Sequence, residues 1–383
     1  MKVSKLLKQI PVKELEFLAT ETKVDHQVKK LTGISIFRLL LYSMVNTQKN
    51  SLRVMEHFFN SVAFRVFADT GRKTTKFNSI RDRIATINPD YFEKIFYTLF
   101  DKFSNHLGEK HSIIRFDSTM VAISAGLVSW GMKVGNKTNK KQLKFTLGMK
   151  GSFPCHVEIF KTQEALNEDK TIPAAIFNYK PTAADIVVFD RGVQARRTFK
   201  KFSEEKIRFV TRIKTDVKYN KVSENKLPEK PENVTITITC DYMVLLWDQK
   251  SNWISTPFRL IKATIDKTGE EIYFLSNIED FTAYEIAAIY KQRWDIEPLH
   301  KFLKQELNLN HLVSRSENGI KVMIYMTLII SILLIAYKKL NKLEGYKIVK
   351  LKFADELEKE ILKEILILSR KNPLKMKYLL NDS

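Results

Sequence analysis

The sequence predicts an α/β protein: a central sheet with helices between its strands, a β-rich insertion, a helical region in front and helices behind. Three observations predict it. Residues 1–107 space their apolar side chains as helices do and hold few strand signals. From His111 the pattern turns to short apolar runs, HSIIRF, QLKFTLGM and DIVVFD, separated by helix-like segments. From Phe281 onward helical spacing returns.

Taken in order, Ser51 opens a helical segment, SLRVMEHFFNSVAFRVF, followed by a polar turn with Gly71, Arg72 and Lys73. A second candidate helix, KFNSIRDRIATI, carries Lys76, Arg81 and Arg83. Such a pair resembles a helix-turn-helix reader of nucleic acid, and equally an ordinary helical pair with a solvated face. DIVVFD is continuously apolar, as a strand buried on both faces is. The basic segment VQARRTFKKF and the alternating IRFVTRI follow it. Residues 214–233 are polar, contain Pro228 and Pro231, and read as a loop. VTITITC, FRLIKATI and EIYFLSN then supply the strands of the insertion. The expected divisions are a helical DNA-binding region at 1–107, sheet core at 108–213, insertion at 214–280, core helices at 281–340 and a helical tail at 341–383.

Charge narrows the function. Among 383 residues, 64 Lys and Arg stand against 43 Asp and Glu, a formal excess of +21. Such an excess attracts a polyanion and costs self-repulsion, which favours nucleic acid over a merely soluble surface. Two cysteines, Cys155 and Cys240, are too few for a disulfide framework or a four-ligand zinc site. The first residues lack a signal peptide's apolar core and cleavage site. Residues 322–337, apolar apart from Thr327 and Ser331, fall short of the ~20 residues of a spanning helix. A buried core helix in a cytoplasmic protein without membrane contact is the expectation.

Candidate chemistry lies at strand ends, where open α/β sheets gather active residues. Asp117 in RFDST and Asp190 in VFDRG sit there, although a single Asp is also a common turn residue. A third feature is the segment from Tyr290 to Lys304. On a continuous helix, Tyr290, Arg293, Glu297 and Lys304 fall within roughly 60° of one another, with Trp294 beside them and Lys301 on the stripe. An Arg–Glu pair four apart on a solvated face explains two of these residues and contributes only roughly 0.2–0.5 kcal/mol. A functional stripe sets one metal-binding carboxylate among groups that grip phosphate. Asp295 falls about 200° from Glu297 and points elsewhere. Asp185 enters the strand that Asp190 leaves, and His300 sits at the stripe's edge as a packing or phosphate-contact residue.

The spacing Tyr-x-x-Arg-x-x-x-Glu-x-x-x-x-x-x-Lys resembles the signature of transposases of the insertion sequence four family. Asp117-Ser118-Thr119 looks like that family's first acidic motif and Asp190-Arg191-Gly192 like its second. The resemblance spans about residues 50 to 340. It implies a ribonuclease H-like core with an Asp117, Asp190, Glu297 triad, Asp117 bridging two metal ions and the others completing one each. Two hard cations about 3.5–4 Å apart clamp the attacking and leaving oxygens of a phosphodiester. Magnesium, with manganese as a substitute, suits such oxygen ligands. Two departures stand out: Val193, where the family usually has Tyr, and Pro298, which is expected to kink the stripe beyond Glu297.

DNA is expected at Tyr290, Arg293, Trp294, Lys301 and Lys304. Two basic segments flank the proposed ligands: one with Lys140, Lys141 and Lys144, the other with Arg191, Arg196 and Arg197. The implied activity is a DNA transposase that binds inverted element ends, cuts them and joins 3′-hydroxyls to target DNA, working as a homodimer at the bacterial nucleoid. A nuclease that never joins and an inactive DNA-binding derivative are the rivals.

Overall fold

The computed structural model describes residues 2–104, 112–124, 132–134, 137–248, 252–310 and 312–380, with backbone alone at 122–124, 133–134, 137–141, 377–378 and 380. Two compact units result: one of helices, from residues 2–104 and 300–380, and one around a sheet, holding most of 112–299.

The helical unit opens with α1 (Val3–Leu7), α2 (Val12–Glu21), α3 (Gly33–Asn46), α4 (Leu52–Asn60), α5 (Val62–Ala68), α6 (Phe77–Thr86) and α7 (Asp90–Ser104). The single helix expected after Ser51 is two. Ser61 is extended, and its hydroxyl accepts from Phe64 N at 3.2 Å, ending α4 and capping α5. The charges of α6 are also committed. Arg83 donates to Leu31 O at 2.8 Å and Val24 O at 2.7 Å, and meets Asp25 at 3.2 Å. Arg81 pairs with Asp82 at 2.9 Å. Arg83 thus braces its own unit, while the side chains of Lys76 and Arg81 stay exposed.

The sheet unit runs β1 (Ser112–Ser124), β2 (Met132–Val134), β3 (Lys137–Lys150), β4 (Phe153–Phe160), α8 (Glu168–Tyr179), β5 (Asp185–Phe189), α9 (Arg196–Glu204), β6 (Arg208–Ile213), β7 (Tyr219–Glu224), β8 (Ile236–Asp248), β9 (Asn252–Trp253), β10 (Phe258–Ile265), β11 (Glu271–Ser276) and α10 (Ala283–Lys291). Strand order is β2-β3-β1-β5-β6-β11-β10-β8-β7, with β4 on β3 and β9 on β8. β1, β5 and β6 are parallel, and β11 joins β6 antiparallel. The β-rich insertion therefore extends the core sheet. Its Ile261 and Phe274 share one apolar cluster with Ile186, Val188 and Val210 under Ile286 and Ile289 of α10. On the opposite face Phe189 and Phe209 pack against Phe199 and Phe202 of α9. Burial on both faces is why DIVVF is continuously apolar.

One segment read as a loop is partly strand: β7 pairs with β8 at the sheet's edge. Its residues are exposed beyond Tyr219, so no apolar alternation marks it, and polar edge strands resist unwanted pairing. Deeper in, Arg259 grips Asp241 with two bonds of 2.9 and 2.6 Å, both side chains buried. The same guanidinium donates to Ile278 O and Phe281 O, tying the insertion to the entry of α10. A capping box between Thr282 and Glu285 then starts that helix.

The chain continues through α11 (Ile296–Gln305), α12 (Glu317–Leu340), α13 (Tyr346–Lys371) and α14 (Pro373–Leu380). Among the described residues α12 is the one helix long and apolar enough to cross a membrane, and 94% of its apolar window is buried in protein. It packs on α7, with Tyr325 and Phe96 ring centres 6.0 Å apart. It is the core helix of the helical unit.

Candidate active site

The parallel ladder of β1 and β5 pairs Ser112 with Asp185 and continues to Arg115 with Val188. Asp117 lies two residues further along β1 and Asp190 directly after the end of β5, and both carboxylates act on the charge of Lys144. Next to Asp117, Ser118 and Thr146 share a hydrogen bond of 2.7 Å that holds β1 to β3.

The structure adds an acid that sequence reasoning missed. Asn167 caps α8, its side chain accepting from Asp169 N at 2.9 Å, and Glu168 and Asp169 fill the first turn. Asp169 accepts from Ala195 N at 2.7 Å and also from Gln194 N, which bolts α8 to the loop after Asp190. Glu168 reaches Asp190 itself. A Cβ placed on Gly192 would stand 1.5 Å from Glu168 Oε2 and 2.9 Å from Asp190 Oδ1. Burial pushes the Glu168 carboxyl above its ordinary value, and the charge of Asp190 adds to the push. The capping pattern Asn-Glu-Asp ahead of an apolar helix was the available signal, but it marks a helix start without indicating what Glu168 faces.

Lys144 also has a different place from the one expected. It is 4% exposed and donates to Leu166 O at 3.1 Å. Burial lowers its pKa, while Glu168, Asp190 and Asp117, in that order, pull it back up. This ammonium sits behind the carboxylates and offsets their charge; it is too buried to grip a DNA backbone.

The Tyr290–Lys304 stripe is not one helix. α10 ends at Lys291, a 3-10 turn spans Gln292–Asp295, and α11 begins at Ile296. The break falls before Glu297, and Pro298 lies in the first turn of α11, where backbone N–H groups have no helical partner. Across the break Arg293 still meets Glu297 at 3.1 Å. The buried Tyr290 phenol is raised by burial, against the pull of Arg293 and Arg212. Trp294 is 55% exposed, its ring centre 4.1 Å from the Arg293 guanidinium. It borders a largely apolar cavity of about 410 Å³ with Arg212, Ile236, Phe274, Tyr284 and Tyr290. Arg212 also lines a groove of about 830 Å³ that holds Asp190, Arg191 and Lys214.

The remaining expected residues scatter. Arg191 is exposed beside Asp190. Arg196 bonds Gln194, and Arg197, its side chain more than half exposed, meets Asp248 at 2.7 Å. Lys301 and Lys304 lie in the last turns of α11, counted with the helical unit, and His300 there is buried. Lys140 and Lys141 lie on β3 with side chains outside the described residues. Asp185 is buried and accepts from Thr182 N and Oγ1 at 2.8 and 2.7 Å.

Among the described residues no three His, Cys, Asp or Glu side chains stand close enough to hold an ion as placed. Glu297 is turned to Arg293, and Glu168 is the acid beside Asp190. Carboxylate oxygens are the donor type a hard divalent cation prefers, and those of Asp117, Asp190 and Glu168 share one field with the Lys144 ammonium.

A mixed α/β sheet with Asp117 on β1 and Asp190 after its parallel neighbour β5, helices at both ends of the chain and a strongly basic composition are consistent with a DDE transposase. Residues 108–333 match the family described as Transposase DDE domain, and the chain belongs to that family. Residues 2–65 match a second family, described as Domain of unknown function (DUF4372). A Synechocystis protein named as a transposase for insertion sequence element IS4SA is 27% identical over 63% of this chain and 66% of its own length. A Geobacillus stearothermophilus protein named as a transposase for insertion sequence element IS5377 is 25% identical over 57% of this chain and 54% of its own. The matched parts thus span less than two thirds of these relatives.

Proposed function

We propose that the protein binds the inverted ends of its own insertion element, cuts them and joins the freed 3′-hydroxyls to target DNA. The observation that carries this reading is the position of Asp117 on β1 and of Asp190 just past the end of its parallel neighbour β5, both acting on the charge of Lys144. The strand order β4-β3-β1-β5-β6, with β1, β5 and β6 parallel, supports a ribonuclease H-like core.

In the first step a water oxygen attacks the scissile phosphorus, and the 3′-oxygen leaves as a hydroxyl. In the second, that hydroxyl attacks a target phosphodiester and displaces a target 3′-oxygen. Each step breaks one P–O bond and forms one, so no covalent protein intermediate is needed. Asp117, Asp190 and Glu297 would hold two magnesium ions, or manganese in their place. The bound metal supplies an activated nucleophile and charge neutralisation at the leaving oxygen. Lys144 moderates the repulsion among the carboxylates. Arg191 and Arg212 face the groove beside Asp190, where backbone phosphates approach, and Arg293 steadies Glu297. Trp294 and the cavity beside it suit a base displaced from the duplex, since stacking offsets the cost of unstacking. Joining two ends calls for a homodimer on DNA, and the work belongs to the cytoplasm.

Incubation with the DNA flanking the gene and Mg2+, followed by separation of cut and joined strands, tests the reading. Joined products are expected, with both steps abolished in Asp117→Asn, Asp190→Asn and Glu297→Gln. Cutting without joining leaves a nuclease, and binding alone an inactive derivative. Affinity should fall with salt by ~0.9 in log K per phosphate contact for each log unit of salt; a flat response removes the DNA reading.

A further inference from the structure

We infer that the outer face of α13 is the surface through which two copies of this chain pair, antiparallel and about a twofold axis at Leu357, before any DNA is bound. Such pairing supplies a surface for the homodimer proposed above and does not rest on it.

α13 has two apolar sides. The inner one, with Val349, Phe353, Leu357 and Ile361, is buried in the helical unit. Phe353 meets the Tyr337 ring of α12 at 5.4 Å, and Lys350 donates to Thr47 O at 2.8 Å and to Glu306 O at 2.7 Å. These contacts fix which way the helix faces. The outer side holds Ile348, Leu351, Leu362 and Leu366, between 49% and 62% exposed. At about 100° per residue these four fall within roughly 60° of one another, nearly opposite the buried side. A surface helix needs one apolar stripe to join its core. Single exposed leucines are ordinary, but an aligned set on the far side marks contact with another molecule.

The order of residues along α13 identifies that molecule as a second copy. Ile348 and Leu366 stand nine residues either side of Leu357, and Asp355 and Lys359 stand two either side. In an isologous pair, residue i meets j and j meets i. An antiparallel partner centred at Leu357 therefore sets Ile348 of one copy against Leu366 of the other, and Asp355 against Lys359, twice each. Leu351 and Leu362 lie on one flank and come within about 1.5 Å of level. Apolar clusters thus form the two ends of a contact about 27 Å long, and charges of alternating sign form its centre. Within one copy Asp355 and Lys359 already pair at 2.7 Å, both side chains exposed, so the centre closes with every charge matched. Parallel pairing would set Asp355 on Asp355 and Lys359 on Lys359. The charges fix direction, and the apolar ends supply most of the affinity. Lys352 and Lys363 are exposed on the other flank, where long stems let their ammoniums turn to water.

Sedimentation equilibrium of the full-length protein without DNA, at micromolar concentration, tests the pairing. The wild type should be a dimer. Leu362→Glu places an unpaired charge in each apolar end and should raise the dimer dissociation constant roughly 100-fold or more, with an unchanged circular dichroism spectrum. Asp355→Lys alone makes the centre wholly positive, and Lys359→Asp alone makes it wholly negative. Each should weaken pairing roughly 10-fold or more, and an equimolar mixture of the two should recover it as a heterodimer. A wild-type monomer overturns the inference, and so does a dimer that all three variants leave intact. Charge variants that dissociate and fail to recover on mixing overturn the antiparallel register, and the inference with it. DNA cleavage is read separately: a monomer that still cuts and joins ends leaves the functional reading standing, and a dimer that cuts nothing removes that reading while the α13 pairing stands.

Discussion

Arg115 and Gln292 are joined twice: the guanidinium donates from Nε to the Gln292 main-chain oxygen at 2.9 Å and from Nη2 to its side-chain oxygen at 2.6 Å. Arg115 is buried on β1, two residues before Asp117, and Gln292 opens the turn that carries Arg293 and Trp294. A further bond of 3.1 Å reaches Gly151 O between β3 and β4, and Asp295 lies 3.3 Å away. One side chain thus holds the first acidic motif, a hairpin and the signature turn in a single frame.

Replacing that side chain should separate stability from rate. Arg115→Ala leaves buried carbonyls unpaired and should cost about 1–3 kcal/mol. Arg115→Lys keeps the charge but cannot fork between two acceptors. Its DNA affinity should remain near wild type while cleavage falls by roughly 100-fold, as expected when reacting groups shift by about 1 Å. Single-turnover cleavage beside urea unfolding checks this, and an unimpaired rate in Arg115→Lys would remove the positioning role. Asp295→Ala, which breaks only the outer, half-exposed member of this network, should stay folded and active.

Trp294 is too exposed to be a packing residue, so Trp294→Ala should change stability by no more than about 0.5 kcal/mol. It should still bind ends and yet slow second-strand cutting. DNA with an abasic nucleotide at the displaced position should restore part of the rate. A large fall in melting temperature without abasic rescue would return Trp294 to the core.

Asp185 is the opposite case. Its carboxylate takes both Thr182 donors and meets Lys150 at 3.2 Å. Its loss leaves buried donors unpaired and should cost roughly 1–3 kcal/mol. Denaturant melts decide this; catalysis per folded molecule should be little changed.

Cys155 provides a pH signature. Burial pushes its thiol up to about 12 from an ordinary 9.0, so the folded form holds the proton where the unfolded chain releases it. Stability from this group is complete below pH 9 and declines as pH rises from 9 toward 12. Alkylation by iodoacetamide at pH 8 should spare Cys155 in the folded protein and modify it in urea. Equal labelling in both states would contradict its burial.

Asp117, Asp190 and the elements carrying them were legible because local rules suffice for them. A strand buried on both faces writes itself as DIVVF, and an acid at its end stands out. The continuous helix expected from Tyr290 to Lys304 is broken. Arg293 and Glu297 meet across a break set by the 3-10 turn that Arg115 holds from another strand, and periodicity carries no information about such a partner. β7 was missed because an exposed edge strand needs no apolar alternation. Lys144 and Glu168 exchanged their expected importance for the same reason: one sequence-local lysine in a basic run is buried behind carboxylates, and one helix-capping acid reaches Asp190. Secondary structure and strand-end acids follow from the order of residues along the chain. Which acid faces which charge depends on how strands distant in sequence come to lie side by side, and only the tertiary structure decides that.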